Sequence, residues 1–232
     1  WITSAPSSLP FTQGSPIPKE LSTDEMQAIK KNFVSAAKRA VRLGFSAIEL
    51  HGAHGYLMHE FISPISNQRE DEFGGSLANR LKFPLDIFDE VRKVVPQNIA
   101  FGLRLTGTDW HEDGLSVEDS KQTAKTFEAH GADYICISSG GITTGLKIPV
   151  GPGYQVSLAK AIKEVVSIPV RAVGLITTPE QANDVILNGE ADMVALARAF
   201  LANPRWGWDA SIALQHPIEV PPQYERAYKA PQ

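Results

Sequence analysis

The sequence contains a single cysteine, Cys136, in 232 residues. One thiol cannot build an intramolecular disulfide framework and suits a reducing compartment, so a cytoplasmic location is expected. No apolar run approaches the roughly 20 residues of a membrane-spanning helix, and no membrane partner is expected. Charge of one sign is also scarce. With 22 Lys and Arg against 26 Asp and Glu, the net charge of −4 argues against nucleic acid as the main partner. No Gly-rich dinucleotide fingerprint is present, so nothing in the chain chooses between NADPH and NADH. The first residue is Trp1 rather than Met, which leaves a preceding segment, targeting signal included, open.

What is there is an ordinary globular composition, 43% hydrophobic and 21% charged, long enough for one sizeable core. Residues 1–21 are rich in Ser and Pro and read as a loop. Ser22-Thr23-Asp24-Glu25 is a capping box, followed by Met26, Ile29, Phe33, Ala37 and Val41 at helical spacing and by Gly44 as a stop. A strand follows over Phe45–Leu50. The unit recurs from Ser116 to Gly131 before the strand Tyr134–Ile137, and from Thr178 to Gly189 before Met193–Leu196. Further strands are expected over Ile99–Leu105 and Ile168–Val173, with helices over Leu77–Val95 and about Ser157–Val166. Five short apolar strands alternating with helices predict an α/β fold whose parallel strands are buried on both faces. The repeating layout favours a (β/α)8 TIM barrel of which about five units are present. A doubly wound open sheet is the structural alternative.

The unusual residues collect where the strands end, the end at which both architectures bind ligands. His51-Gly52-Ala53-His54-Gly55-Tyr56 delivers two imidazoles and a phenol within six residues. Imidazole donates or accepts a hydrogen bond at neutral pH, and a phenol donates a proton without first carrying a charge. Such a set could polarise an oxygen and protonate a carbon. Arg104 and Thr106, then Ser138-Ser139-Gly140-Gly141, Gly174, and Ala197-Arg198 close the later strands. Arg104 inside an apolar strand is either half of a structural ion pair or a cation facing an electron-rich cofactor group. Gly174 and Arg198 point to a phosphate site, since glycine admits close backbone approach and guanidinium matches phosphate. Two other readings stand beside this one for the histidines: metal ligands together with His59, or a satisfied polar pair.

These residues resemble a known family, the flavin-dependent ene-reductases or old yellow enzymes, most closely its thermophilic-like xenobiotic reductase branch. The resemblance is carried by His51–Leu57, Phe61-Ile62-Ser63-Pro64, Asn67-Gln68-Arg69, Asp71–Ser76, Asn79-Arg80, Gly102–Leu105, Ala172–Ile176, Ala197-Arg198 with Pro204, and Pro222–Arg226. It implies a TIM barrel carrying FMN, with NADPH or NADH as hydride source and an activated alkene (an α,β-unsaturated carbonyl or nitro compound) as substrate. Arg104 would lie near the flavin N1/O2 side. Ser139 would contact the cofactor, and Gly174, Ala197 and Arg198 would hold its phosphate. His51 and His54 would bind the substrate oxygen, and Tyr56 would be the proton donor after hydride leaves flavin N5. Arg226 would reach a neighbouring subunit's site in a homo-oligomer, placing the 205–232 tail at a subunit interface.

Two departures accompany the resemblance: Ala197 stands where the family often has glycine, and the family's first three strand units have no counterpart here. The chain therefore reads as a single partial barrel domain, the C-terminal two-thirds of an ene-reductase, with a second polypeptide as a possible source of the missing strands. Three alternatives are a catalytically incompetent fragment that serves as a binding partner, a flavin enzyme of the dienoyl-CoA reductase or NADH oxidase type, and a metal-dependent barrel hydrolase.

Overall fold

A computed structural model describes residues 2–216 and 218–228; Trp1, Pro217 and the last four residues of the expected C-terminal tail lie outside the described residues. Its framework is a five-stranded parallel sheet: β3 (Ala47–Gly52), β4 (Ala100–Thr106), β5 (Tyr134–Ser138), β6 (Val170–Val173) and β7 (Met193–Ala195). The strands lie in strict chain order, β3-β4-β5-β6-β7. A doubly wound sheet reverses its strand order at a switch point, whereas an order that never reverses lays every crossover helix on one face. The sheet is therefore an arc of a TIM barrel. Among the described residues β3 pairs only with β4 and β7 only with β6, so both edges of the arc are open.

The helices start where their capping residues put them. Before α1 (Thr23–Arg42), the Ser22 hydroxyl accepts from the Glu25 amide while the Glu25 carboxylate accepts from the Ser22 amide. Ser116 and Asp119 repeat the device before α4 (Val117–Ala129). Thr178 caps α6 (Pro179–Leu187), whose Pro179 occupies the first turn. Ser76 caps α3 (Leu77–Arg92), and α5 is Val156–Lys163. These helices bury the outer face of the arc: Leu50, Phe101, Leu103, Leu105, Ile135, Ile137, Val170 and Ala172 belong to one core. Phe88 of α3 stacks on Phe101 at 4.6 Å, with Phe127 of α4 meeting it edge-on at 5.3 Å.

The inner face departs from the expectation of strands buried on both sides by apolar residues. It carries Glu49, His51, Arg104, Tyr134, Cys136 and Arg171, which register places on one surface. Arg171 pairs with Glu49 although β3 and β6 are three strands apart, about 14 Å on a flat sheet. Their meeting reflects the curl of the arc. The Arg171 guanidinium also lies over the Tyr134 ring at 5.1 Å. Gly102 makes room for that ring, since a Cβ there would stand 2.6 Å from it. Burial pushes the Tyr134 phenol up to about 12 and raises the Cys136 thiol, so both are neutral partners within this polar layer.

The N-terminal Ser/Pro-rich segment holds two short strands where the sequence reads as loop: β1 (Ser4–Ala5) pairs in parallel with β2 (Lys19–Glu20). Arg69 fastens them, with Nη1 donating to the carbonyls of Pro6 at 3.0 Å and Leu21 at 2.9 Å. Neither contact has a local sequence signal, because the arginine lies far along the chain. A short helix, α2 (Leu57–Ile62), follows the histidine turn. At the C-terminus α7 (Arg198–Ala202), α8 (Trp206–Ala213), a 3-10 turn (Pro222–Tyr224) and α9 (Glu225–Tyr228) complete the described chain.

Candidate active site

The expected strand Phe45–Leu50 is shifted forward by two residues, so His51 and Gly52 belong to β3 itself. His51 pairs in register with Arg104 on β4, which sets both side chains on the inner surface as neighbours. The chain then turns sharply. His54 adopts φ +60° and Gly55 φ +74°, and only glycine fits at Gly55, because a Cβ there would collide with the Gly141 carbonyl. The turn gathers three rings: His51 lies 5.1 Å from His54 and 5.3 Å from Tyr56, centroid to centroid. Tyr56 is 63% exposed, so its phenol is open to a ligand from the solvent side.

Both imidazoles are held neutral at pH 7. Burial, then the Arg104 charge, brings His54 down to about 4. The same two causes, in the same order, lower His51, partly countered by Glu49. Hydrogen-bond partners assign the His54 tautomer. The Val173 carbonyl can only accept, so it receives Gln155 Nε2 at 3.1 Å. Gln155 Oε1 then accepts from the hydroxyls of Ser139 at 2.6 Å and Ser138 at 3.2 Å. With its proton committed, Ser138 accepts from His54 Nε2 at 2.6 Å. His54 thus aims its N–H at Ser138, whereas His51 makes no hydrogen bond through its ring among the described residues.

Beneath the turn is a network that sequence reasoning missed. The Gly55 amide donates to His59 Nδ1 at 2.9 Å, which leaves Nε2 to donate to Asp109 Oδ1 at 2.9 Å. Asp109 Oδ2 also accepts from Ser63 Oγ at 2.6 Å and from the Leu115 amide at 2.7 Å. Burial pushes the Asp109 carboxyl up, but these donors, His59 first, hold it below the ordinary range. Both His59 nitrogens are therefore used inside the protein. The four-residue spacing from Gly55 to His59 was a readable signal; the link to Asp109, 50 residues on, was not.

A cleft of about 220 Å³ opens beside His54, walled by Arg104, Ser138, Gln155, Gly174 and Ala197-Arg198 among others. Of the sequence-derived candidates it gathers His54, Arg104, Gly174, Ala197 and Arg198. Ser139 is buried behind it, its hydroxyl turned to Gln155. Arg226 lies apart, exposed on α9, which belongs to an aromatic cluster of Trp208, Tyr224 and Tyr228. Ser138, named in the sequence reading only as a strand end, also lines the wall, whereas Tyr154, Gln155 and Thr177 are wall residues that reading did not name. Arg104 has no acidic partner among the described residues, and its buried Nε has no hydrogen-bond acceptor. Gly174 has φ +124°, and a Cβ there would stand 2.7 Å from Gln155 Nε2. Leu175 follows with φ +52°, a strained conformation for a side-chain-bearing residue. The cleft thus offers an unpaired, half-buried cation with a buried Nε at one end and an arginine beside a glycine-opened backbone at the other. An anionic ligand with an electron-rich polar edge complements both.

Fold and site together define a (β/α)-barrel with an anion-accepting cleft at the C-terminal ends of its strands. The chain belongs to the NADH:flavin oxidoreductase / NADH oxidase family, whose model matches residues 3–215. It is similar to an NADPH dehydrogenase of Geobacillus thermodenitrificans, 43% identical over 225 residues, which cover 97% of this chain and 65% of that relative. The chain thus spans just under two thirds of the curated relative's length. Among solved structures it resembles a 2-naphthoyl-CoA reductase complex, with a TM-score of 0.83 and 25% identity over 93% of this chain and 33% of that one. A morphinone reductase mutant in complex with tetrahydroNAD matches with a TM-score of 0.73 and 26% identity over 92% of this chain and 60% of that one. The family's cofactor is FMN and its reductant NAD(P)H, and the residues present fit FMN. Arg104 offers a buried donor that lacks an acceptor, and Gly174 with Arg198 offers an open backbone and a guanidinium whose chemistry suits a phosphate.

Proposed function

We propose that the protein is an FMN-dependent oxidoreductase that uses NAD(P)H to reduce the activated C=C bond of α,β-unsaturated carbonyl or nitro compounds. The observation that carries the reading is the cluster of two neutral imidazoles and an exposed phenol, next to an arginine with an unpaired buried Nε. FMN supplies the hydride chemistry when bound, and the chain supplies binding, polarisation and a proton. Arg104 and Arg198 anchor the two ends of the cofactor. His51 donates to the substrate oxygen as negative charge develops on it. His54 adds a second donor when its Nε2 proton exchanges the Ser138 hydroxyl for that oxygen. Tyr56 delivers the proton that completes reduction.

Two partner roles belong to the same proposal. Further strands, from a second polypeptide or another segment, close the open edges of β3 and β7. In a homo-oligomer, Arg226 completes a neighbouring subunit's pocket. The test is an FMN fluorescence titration, followed by NADPH oxidation driven by cyclohex-2-enone, with wild type and Tyr56→Phe compared. Enone-dependent turnover that falls with Tyr56→Phe supports the reading. Flavin binding without enone-dependent turnover, or turnover indifferent to Tyr56, refutes the substrate class. Failure to bind FMN when the barrel is closed refutes the whole reading.

A further inference from the structure

A second cavity, of about 340 Å³, lies on the other side of the histidine turn, with Gly55 in its wall. Its lining is apolar over Ala5, Leu9, Pro10, Phe11, Ile65 and Ile142, and Glu60 of α2 is the one ionisable side chain among the residues that line it. No hydrogen-bond donor or cation meets the Glu60 carboxyl among the described residues, and desolvation alone lifts it to about 7. The other polar side chains lining the cavity are hydroxyls, on Thr3, Ser4, Ser66 and Thr143. The wall facing Glu60 is a proline-stiffened segment closed by the turn at Thr12–Ser15. Arg69 pins that segment at both ends, at Pro6 and Leu21.

We propose that this cavity is a binding site for a small organic ammonium ion, with Glu60 as its counter-charge and the Leu9, Phe11 and Ile142 walls around its apolar body. The chemistry selects a cation. A carboxyl half removed from water lacks a countercharge, and an ammonium restores one while its remaining N–H groups donate to the hydroxyl oxygens. An anion would meet the carboxylate with no cationic side chain in the wall to offset it. A neutral acceptor would gain one hydrogen bond and no charge pairing. The walls supply the apolar contact that separates an amine with a hydrocarbon body from a bare inorganic cation. The catalytic cleft, walled by Arg104 and Arg198, repels the same ligand, so the two sites sort by charge.

The proposal is independent of the flavin reading. Its test is calorimetric titration of the intact protein at pH 8 with benzylammonium chloride, and with benzyl alcohol as the uncharged counterpart. One saturable benzylammonium site per chain is expected, with no saturable heat from the alcohol. Glu60→Gln should weaken the ammonium at least tenfold. Phe11→Ala, at a half-exposed wall position that tolerates truncation, should weaken it several-fold. It decides the matter if Glu60→Gln fails the circular-dichroism check of folding. Equal affinity for ammonium and alcohol, affinity indifferent to both substitutions, or no saturable binding of benzylammonium would overturn the site.

Discussion

Asp109→Asn is the sharpest test of how the turn beneath the active site is held. The carboxylate is fully buried and accepts three hydrogen bonds, from His59 Nε2, Ser63 Oγ and the Leu115 amide. Two of those donors cannot reverse. The Leu115 N–H is backbone, and His59 cannot move its proton to Nδ1 because the Gly55 amide already donates there. An asparagine presents an oxygen to one fixed donor and an NH2 to the other, whichever way it is turned. One buried donor is then left facing a donor, which costs about 1–3 kcal/mol, and charge-assisted hydrogen bonds are lost besides. Asp109→Asn should therefore destabilise by about 2–3 kcal/mol, and Asp109→Ala, which strands three donors, by about 3–5 kcal/mol. With a urea slope of about 2 kcal/mol per molar, the asparagine variant should lose about 1–1.5 M of midpoint.

Acid adds a second readout. The folded Asp109 carboxyl lies below its ordinary 3.8, so its contribution is complete above that pH and is lost as pH falls through the folded value. The wild type should lose more stability below about pH 4 than either variant, the difference being the Asp109 share of an acid limb to which Asp71 and Asp192 also contribute. A wild-type urea midpoint in Asp109→Asn, or an unchanged acid limb in either variant, would refute the reasoning.

The remaining predictions concern the cleft and the tail. The His54 ring protons should titrate near 4 by NMR, and Arg104→Met should raise that value without restoring 6.5, because burial is the larger cause. Since the unfolded imidazole binds its proton first, this histidine should withdraw stability as pH falls from about 6.5 towards 4, and removing it should flatten that stretch of a stability–pH curve. Gly174→Ala forces a side chain at φ +124° against Gln155, so it should cost about 1–3 kcal/mol in a urea melt and weaken FMN binding in a fluorescence titration. Arg226→Ala should raise the KM for an enone at a shared pocket while leaving the isolated subunit's urea midpoint unchanged; an unaltered KM in an oligomer would remove Arg226 from the site.

Much of the scaffold was legible because its signals are local. The capping boxes at Ser22 and Ser116 and the proline at Pro179 sit where the helices begin, since each bonds backbone groups within its own first turn. Gly44, Gly131 and Gly189 take positive φ where helices stop. The short strands β1 and β2 were not legible, because their order depends on Arg69 reaching back across the fold. The inner face was misjudged for a related reason. Charged Glu49 and Arg171 are tolerated there because curl joins them, and their 122-residue separation hides that pairing.

By itself the sequence determined the alternation of elements and the set of chemical groups at the strand ends: His51, His54, Tyr56, Arg104, Gly174 and Arg198. Spacing along one chain is enough for that, because helix, strand and cap each form through near neighbours. Tertiary structure decided what those groups face. It set His51 beside Arg104, turned the His54 proton to Ser138, hid Ser139 and left Arg226 on the surface. It also tied the turn to Asp109 and left Glu60 alone in a second cavity. These are matters of burial, charge proximity and hydrogen-bond direction, and they exist once distant segments share one volume from which water is excluded.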